Sequence, residues 1–191
     1  MRAEGGGHME LNKAHDIAES LLADVTHACV RSEIAGSIRR KKADVKDIEL
    51  VVRVKDWDGL FEALQKHGEF IKPGVPNIIP WNPKRDAKYL RMLLNEDIKL
   101  DLFIATPENW GALYMMRTGS AIGPDGDFGF VPAMFAAWKR KSGGGKMVSC
   151  LPTTPEGLSI SVPEEEDFFK LCGVKWVEPE NRTSSRAVKR I

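Results

Sequence analysis

The stretch DIELVV at residues 47–52 constrains the fold more than any other part of the chain. Its apolar residues predict a β-strand, in which successive side chains point to opposite faces of a sheet. Asp47 and Glu49 therefore share one face, while Ile48 lies on the other. Two neighbouring ionised carboxylates repel each other, so a fold accommodates them readily only when they are solvated or when cations neutralise them. The acidic face of this strand is a candidate functional site.

The segment before the strand supplies groups of the opposite charge. Gly36 and Ser37 are followed by the basic run Arg39–Lys42. A Gly-Ser turn offers backbone N–H groups and a hydroxyl to a phosphate, and an arginine can bind phosphate oxygens with a two-pronged fork. A phosphate-bearing ligand is therefore a candidate for this region.

Composition limits the class of protein. The chain has 191 residues, 42% of them hydrophobic and 29% charged, which suits one globular domain or two small ones. No apolar run approaches the roughly 20 residues of a membrane helix, so we expect no membrane partner. Its three cysteines lack C-x-x-C spacing, which favours buried free thiols and an intracellular, cytoplasmic location. Residues 1–9 are interpreted as a leader outside the fold.

Charge is segregated along the chain even though the formal net charge is only +1. Basic clusters occur at Arg39–Lys42, at Lys139–Lys141 and between Arg182 and Arg190, whereas residues 164–167 are acidic. Separate patches of both signs suit a protein that holds metal ions and a polyanion together. The alternative is that each charge run is an ordinary solvated face.

Hydrophobic spacing predicts a mixed α/β layout. Helices are expected from Glu10 to about Ala28, at 57–68 with Gly68 as the terminator, from Pro132 to about Lys141 and after residue 163. A short strand at 33–35, a proline-rich loop at 72–85 and a strand pair within 147–162 complete this layout.

A predicted hairpin brings in a third acid. AKYLRMLL and IKLDLFI flank Asn95-Glu96-Asp97 and are typical of two paired strands. Asp101 lies on the second strand. If this strand lies beside the one containing Asp47 and Glu49, the three carboxylates converge. Three carboxylates suit Mg²⁺, and two such ions can promote nucleotidyl transfer.

Several ordered motifs resemble those of one superfamily. AGS at 35–37, nine further residues and then DIEL resemble the signature of the beta-type nucleotidyltransferases, and Gly36-Ser37-Ile38-Arg39-Arg40 is similar to the G-S-x-R-R of family X DNA polymerases. LDLF around Asp101, the T-G-S of Thr118-Gly119-Ser120 and GVKWVEPENR at 173–182 follow in the family's order. The resemblance covers about residues 10–182.

The resemblance implies an α+β fold. Residues 10–117 would form a polymerase beta-like nucleotidyltransferase palm with a mixed sheet and flanking helices, and residues 118–191 would form a small α/β C-terminal subdomain that binds nucleotide and DNA.

The resemblance also implies roles for individual residues. Catalysis and the binding of two Mg²⁺ ions, or of Mn²⁺ in their place, would fall to Asp47, Glu49 and Asp101. Nucleotide binding would fall to Gly36, Ser37, Arg40, Thr118, Gly119 and Ser120, and DNA binding to Lys139, Arg140, Lys141 and Arg182. The family usually has Asp where this chain has Glu49, and an aromatic residue or two where it has Met116 and Arg117.

We therefore expect a small family X-like DNA polymerase that acts as a monomer in gap filling or DNA repair. It would add a deoxynucleotide from its triphosphate to a primer 3′-hydroxyl on gapped or primer-template DNA, releasing pyrophosphate. One alternative is a nucleotidyltransferase that modifies a small molecule or a protein. Another is a DNA-end-binding protein with a degenerate site.

Overall fold

The structure is a computed structural model that describes residues 8–75, 78–143 and 145–191. The fold is mixed α+β, as predicted, and the chain divides into two compact units after Ala105. The division precedes the predicted boundary at residue 117, because helix α4 (Trp110–Thr118) packs with the helices that follow it. Among the described helices, none combines the length and the apolar character needed to cross a bilayer.

The first unit consists of a sheet with helices against it. Its elements in chain order are β1 (Met9–Glu10), α1 (Leu11–Val25), β2 (Cys29–Ile34), α2 (Gly36–Arg39), β3 (Asp44–Val45), β4 (Asp47–Val54), α3 (Trp57–Gln65), β5 (Gly68–Phe70), β6 (Tyr89–Leu94) and β7 (Lys99–Ile104).

The five-stranded sheet has the order β2-β4-β7-β6-β5 and is mixed. Strand β4 runs parallel to β7, whereas the other neighbouring strands are antiparallel. The predicted hairpin is confirmed as β6 and β7: β7 is the central strand of the sheet, and β6 lies between it and the edge strand β5.

One face of this sheet forms the apolar core of the first unit. Every second residue of β4, β6 and β7 is buried there: Ile48, Leu50, Val52, Leu90, Met92, Leu94, Leu100 and Leu102. The same cluster contains Leu21 of α1 and Leu60 of α3, so both helices pack over this face. Because side chains alternate, the residues between them point to the opposite face, which carries the polar site.

Met9, which the sequence predicts to belong to a leader, pairs with Val45 and is buried in the core, while residues 1–7 lie outside the described ranges. Two predictions in the first unit are corrected. Strand β2 is longer than the predicted 33–35 segment. Gly68 does not end α3; it begins β5, where a Cβ atom would lie 2.1 Å from the carbonyl oxygen of Leu93.

The second unit is mainly helical around its own apolar core. Its elements are α4, α5 (Phe130–Ser142), β8 (Met147–Val148), β9 (Leu151–Pro152) and α6 (Glu165–Cys172), with short 3-10 helices at Pro179–Asn181 and Ser185–Ala187. The strand pair is shorter than predicted. Phe130, Met134, Trp138 and Phe168 are fully buried where α5 and α6 meet.

The cysteines are free thiols, as predicted, but they are not all buried. Burial raises the pKa of the Cys29 thiol to about 11 and that of Cys172 to about 12. Cys150, in contrast, is partly exposed in a turn.

Candidate functional site

The Gly-Ser motif forms the start of α2, directly after β2. Gly36 has φ +62°, in the left-handed region that favours glycine. A Cβ atom at this position would lie 2.0 Å from Oε2 of Glu49, so only glycine lets the Glu49 carboxylate lie against the backbone. The motif and the acidic strand are therefore in direct contact.

Ser37 lies on this short helix, and Arg40 follows its last residue. Ser37 is only 9% exposed, and its Oγ has no hydrogen-bond partner among the described residues. A buried hydroxyl without a partner is costly, which indicates a position built to meet a polar ligand. Ser37, Arg40, Lys42, Lys46 and Asp47 line an open pocket of about 520 Å³.

The three predicted acids lie on the same face of the sheet. Glu49 on β4 and Asp101 on β7 are paired residues in parallel register, so their side chains leave the same face of the sheet side by side. Asp47 lies two residues before Glu49 on that face. Asp47 and Glu49 are half-buried, whereas Asp101 is only 5% exposed. Asp101 is therefore not an acid of a solvated surface.

Two residues that the sequence analysis did not single out hold Asp101. Arg91 donates from Nε to Oδ1 and from Nη2 to Oδ2 of Asp101, each over 2.6 Å. The Tyr89 hydroxyl donates to the same Oδ1, also over 2.6 Å. Both residues lie on β6, and Arg91 is the paired neighbour of Asp101. The alternation in YLRMLL places them on the acidic face and could have identified them.

Burial and mutual repulsion both affect the pKa of Asp47. Burial raises the pKa of this carboxyl above its usual range, and the nearby charge of Asp101 raises it further. Arg91, Arg40 and Lys99 lower it, but they do not reverse the shift. The acids are thus partly neutralised by side chains of the protein itself, which answers how the strand tolerates them.

The two arginines of the site differ in environment. Burial lowers the pKa of Arg40, although Glu49 and Asp47 oppose the shift. The hydrogen bonds from Arg91 to Asp101 raise the pKa of Arg91, in spite of its partial burial. Burial, followed by the hydrogen bond to Asp101, raises the pKa of Tyr89. Both donors to Asp101 therefore keep their protons at neutral pH.

The donor set can be compared with the needs of a divalent cation. Carboxylate oxygens are the ligands that Mg²⁺ prefers, and the unpartnered Ser37 hydroxyl beside them suits a phosphate. In this conformation, no three His, Cys, Asp or Glu side chains of the described residues are grouped closely enough to hold a metal ion. The acids fit a metal chemically, but Asp101 is bound to Arg91 instead.

The T-G-S motif lies in the second unit and is largely internal. Thr118 is fully buried, and Ser120 is 7% exposed. The Ser120 hydroxyl accepts a hydrogen bond from the backbone N–H of Phe130, over 3.2 Å, and so supports the start of α5. Only Gly119 is half exposed. Thr118 and Ser120 are therefore internal, whereas Gly119 has exposed surface but packs closely on Phe130 and Val131, where a Cβ atom would lie 2.7 Å from each side chain.

The predicted DNA-binding residues fall into two groups. Lys139, Arg140 and Lys141 are exposed in the last turn of α5, and Lys141 also donates from Nζ to the carbonyl oxygen of Lys170 over 2.8 Å. Arg182 is fully buried and paired with Glu165, so its assignment to DNA binding is wrong. A side chain without exposed surface cannot reach a phosphate of DNA.

Comparison with known proteins identifies no relative: no protein-family model matches the chain, and no match is found among curated proteins.

Proposed function

We propose that the protein is a metal-dependent nucleotidyltransferase that adds a nucleotide to a DNA primer 3′-hydroxyl and releases pyrophosphate. In this proposal the first unit is a palm of the polymerase beta type. The observation that carries it is the in-register pairing of Glu49 with Asp101 on a sheet face that also adjoins the Gly36-Ser37 motif. Paired acids beside a phosphate-binding motif are the arrangement that nucleotidyl transfer needs.

The residues of the first unit would divide the work. The Ser37 hydroxyl donates to a phosphate oxygen of the nucleotide, and Arg40 binds the triphosphate through its guanidinium. Asp47, Glu49 and Asp101 would hold the divalent cations. When bound, Mg²⁺ or Mn²⁺ supplies neutralisation of the phosphate charge and a lower pKa for the attacking hydroxyl.

The second unit would supply contacts to DNA. Lys139, Arg140 and Lys141 present three positive charges on an exposed helix end. Attraction to the phosphates of DNA is largely independent of sequence and depends on such exposed cations.

Primer extension with the variant Asp101→Asn tests the proposal. The substrates are gapped, nicked and single-stranded DNA, each with every nucleotide supplied separately. Because Asp101 acts together with the other acids, the variant is expected to lose incorporation by about a thousandfold or more, while DNA binding stays within about threefold. Incorporation within tenfold of the parent would overturn the assignment.

Asp97→Asn is a matched control. Asp97 is exposed in the β6–β7 turn, and its φ of +60° is one that asparagine tolerates well. It removes the same charge from the same hairpin, so it is expected to leave incorporation unchanged. Circular dichroism of both variants checks that the fold is retained.

A further inference from the structure

The proposed catalytic acid Asp101 has little capacity left for a metal ion. A carboxylate offers about four lone-pair directions on its two oxygens. Oδ1 accepts from Tyr89 and from Arg91, and Oδ2 accepts from Arg91 again. Because the side chain is only 7% exposed, water has little access to it. One direction on Oδ2 remains.

We propose that Arg91 is a built-in counter-cation that occupies Asp101 in the metal-free protein and that a divalent cation must displace, wholly or in part. The inference rests on the proposed function in that it takes Asp101 as a metal ligand. Arg91 binds with both prongs of its guanidinium, and its side chain is 27% exposed, so it has room to withdraw towards solvent.

Arg91 bonds Asp101 directly and also contributes to the charge balance of the neighbouring acid. The charge of Asp101 repels that of Asp47. Three positive charges attract it, those of Arg91, Arg40 and Lys99. Removal of Arg91 would leave the paired acids less neutralised, and a cluster of unneutralised carboxylates attracts a divalent cation more strongly. Tyr89, in contrast, contributes a neutral hydrogen bond, so its removal changes no charge.

Binding of Mn²⁺ alone tests the proposal without nucleotide or DNA. Free Mn²⁺ is followed by electron paramagnetic resonance during titration of the full chain. Arg91→Met is expected to bind about tenfold more tightly than the parent, since one partly buried positive charge is lost. Arg91→Lys keeps the charge and is expected to stay within about threefold, and so is Tyr89→Phe, which keeps Arg91.

A second substitution tests whether the added Mn²⁺ affinity depends on Asp101. In the Arg91→Met background, Asp101→Asn is expected to abolish the added affinity. A purely structural role for Arg91 predicts the opposite sign, because a loosened site binds metal more weakly. Unchanged or weaker Mn²⁺ binding by a folded Arg91→Met protein, or a gain that survives Asp101→Asn, would overturn the proposal. Arg91→Gln, which retains an N–H donor without the charge, replaces Arg91→Met if the latter does not fold.

Displacement of Arg91 can also be measured in the unaltered protein, without a variant that lacks the positive charge. The Nε–H resonance of Arg91, assigned by its absence in Arg91→Lys, is followed by ¹⁵N-correlated NMR while diamagnetic Mg²⁺ is added. Displacement predicts a shift and faster solvent exchange at saturation. An unchanged resonance with Mg²⁺ bound, or no Mg²⁺ or Mn²⁺ binding by any of these proteins, contradicts the proposal.

These outcomes are separate from those of primer extension. Tighter Mn²⁺ binding by Arg91→Met, with no incorporation by the parent on any DNA, would support Arg91 as the counter-cation and reject the polymerase proposal. If the parent incorporates nucleotide but removal of Arg91 does not change the Mn²⁺ affinity, the polymerase proposal is supported and the role of Arg91 as counter-cation is rejected.

Discussion

Each unit of the molecule contains one arginine bound to a buried carboxylate, and the two pairs differ in their surroundings. In the second unit, Arg182 donates to Glu165 over 2.5 Å and to the carbonyl oxygen of Val177 over 2.8 Å. Its guanidinium lies 4.6 Å from the ring centre of Trp176 and 5.1 Å from that of Phe169. Every direction around this arginine is thus occupied by protein.

The pair of Arg91 and Asp101 in the first unit is equally well bonded but is not enclosed. Asp47 lies close enough to Asp101 for repulsion to raise its pKa, and Asp47 also borders the open pocket. The difference teaches that two ion pairs with similar bond geometry can lie in different electrostatic surroundings. In the function proposed above, the additional negative charge beside the Arg91–Asp101 pair is what distinguishes it from the enclosed pair.

The largest effect is expected from Arg182→Met, which tests the structural side of the comparison. Glu165 would be left buried without its partner, so the free energy of unfolding should fall by about 3–5 kcal/mol, measured by urea denaturation. In the double variant Glu165→Leu/Arg182→Met no charged group is left buried without a partner. Most of the lost free energy of unfolding should therefore be recovered.

Arg186→Met is the control for this measurement. Arg186 pairs with Asp125 over 3.8 Å, and both side chains are more than 70% exposed, at 78% and 73%. Such a pair contributes little, so a change below about 0.5 kcal/mol is expected. A loss of that same small size for Arg182→Met would show that the enclosed pair is not structural.

The next largest effect is expected from replacing Glu49 in the proposed functional site of the first unit. Glu49→Asp withdraws the carboxylate from Gly36 by one methylene, and misplacement by about 1 Å can cost roughly a hundredfold in rate. Turnover with Mg²⁺ should fall accordingly, and Mn²⁺ should restore part of it. Glu49→Gln, which keeps the length but removes the charge, should be worse with either ion.

Glu165→Asp is the matching change in the second unit. It should lower stability without altering the choice of metal, because Glu165 is enclosed with Arg182. If Glu49→Gln incorporates nucleotide nearly as fast as the parent, Glu49 is not a metal ligand, and the contrast between the two carboxylates disappears.

A smaller effect, on stability and its pH dependence, is expected from Asp47. Its folded-state pKa lies above the ordinary value of about 3.9, so ionisation destabilises the folded state, and stability is lost as pH rises through the folded pKa. Asp47→Asn removes this loss. Urea unfolding should therefore find the variant more stable than the parent at pH 7, with the advantage fading as pH falls towards 4.

Asp86→Asn, at an exposed position, controls for the loss of one negative charge. It should leave the pH dependence of stability unchanged. An Asp47→Asn protein that is no more stable than the parent at pH 7 would indicate that Asp47 is fully neutralised, as the enclosed pair is.

The smallest effect on stability is expected from replacing Lys139, Arg140 and Lys141 together with alanine, since all three are exposed. Their contribution should appear instead in DNA binding, where log affinity falls against log salt with a slope of about −0.9 per neutralised phosphate. Filter binding at several salt concentrations should show a flatter slope for the variant. An unchanged slope would mean that this helix end is an ordinary solvated face.

Local patterns predicted much of the first unit. The period of two in DIELVV and LDLF placed Asp47, Glu49 and Asp101 on strand faces. This period depends only on the backbone geometry of each strand, so the local sequence is enough to predict it. The helical spacing in residues 10–28 likewise predicted α1 closely. The ends of elements were less predictable: Gly68 suits a helix end, but the close approach of Leu93 in β6 decided its role.

What the sequence determined by itself was therefore which residues share a strand face. Only the tertiary structure decided which charged residues meet. Arg182 belongs to a basic tail in sequence, yet burial beside Glu165 removes it from solvent, and Arg91 becomes part of the site because β6 pairs with β7. The physical reason is that exposure and pairing of a charge depend on neighbours far apart in the chain, whereas periodicity depends on the local backbone alone.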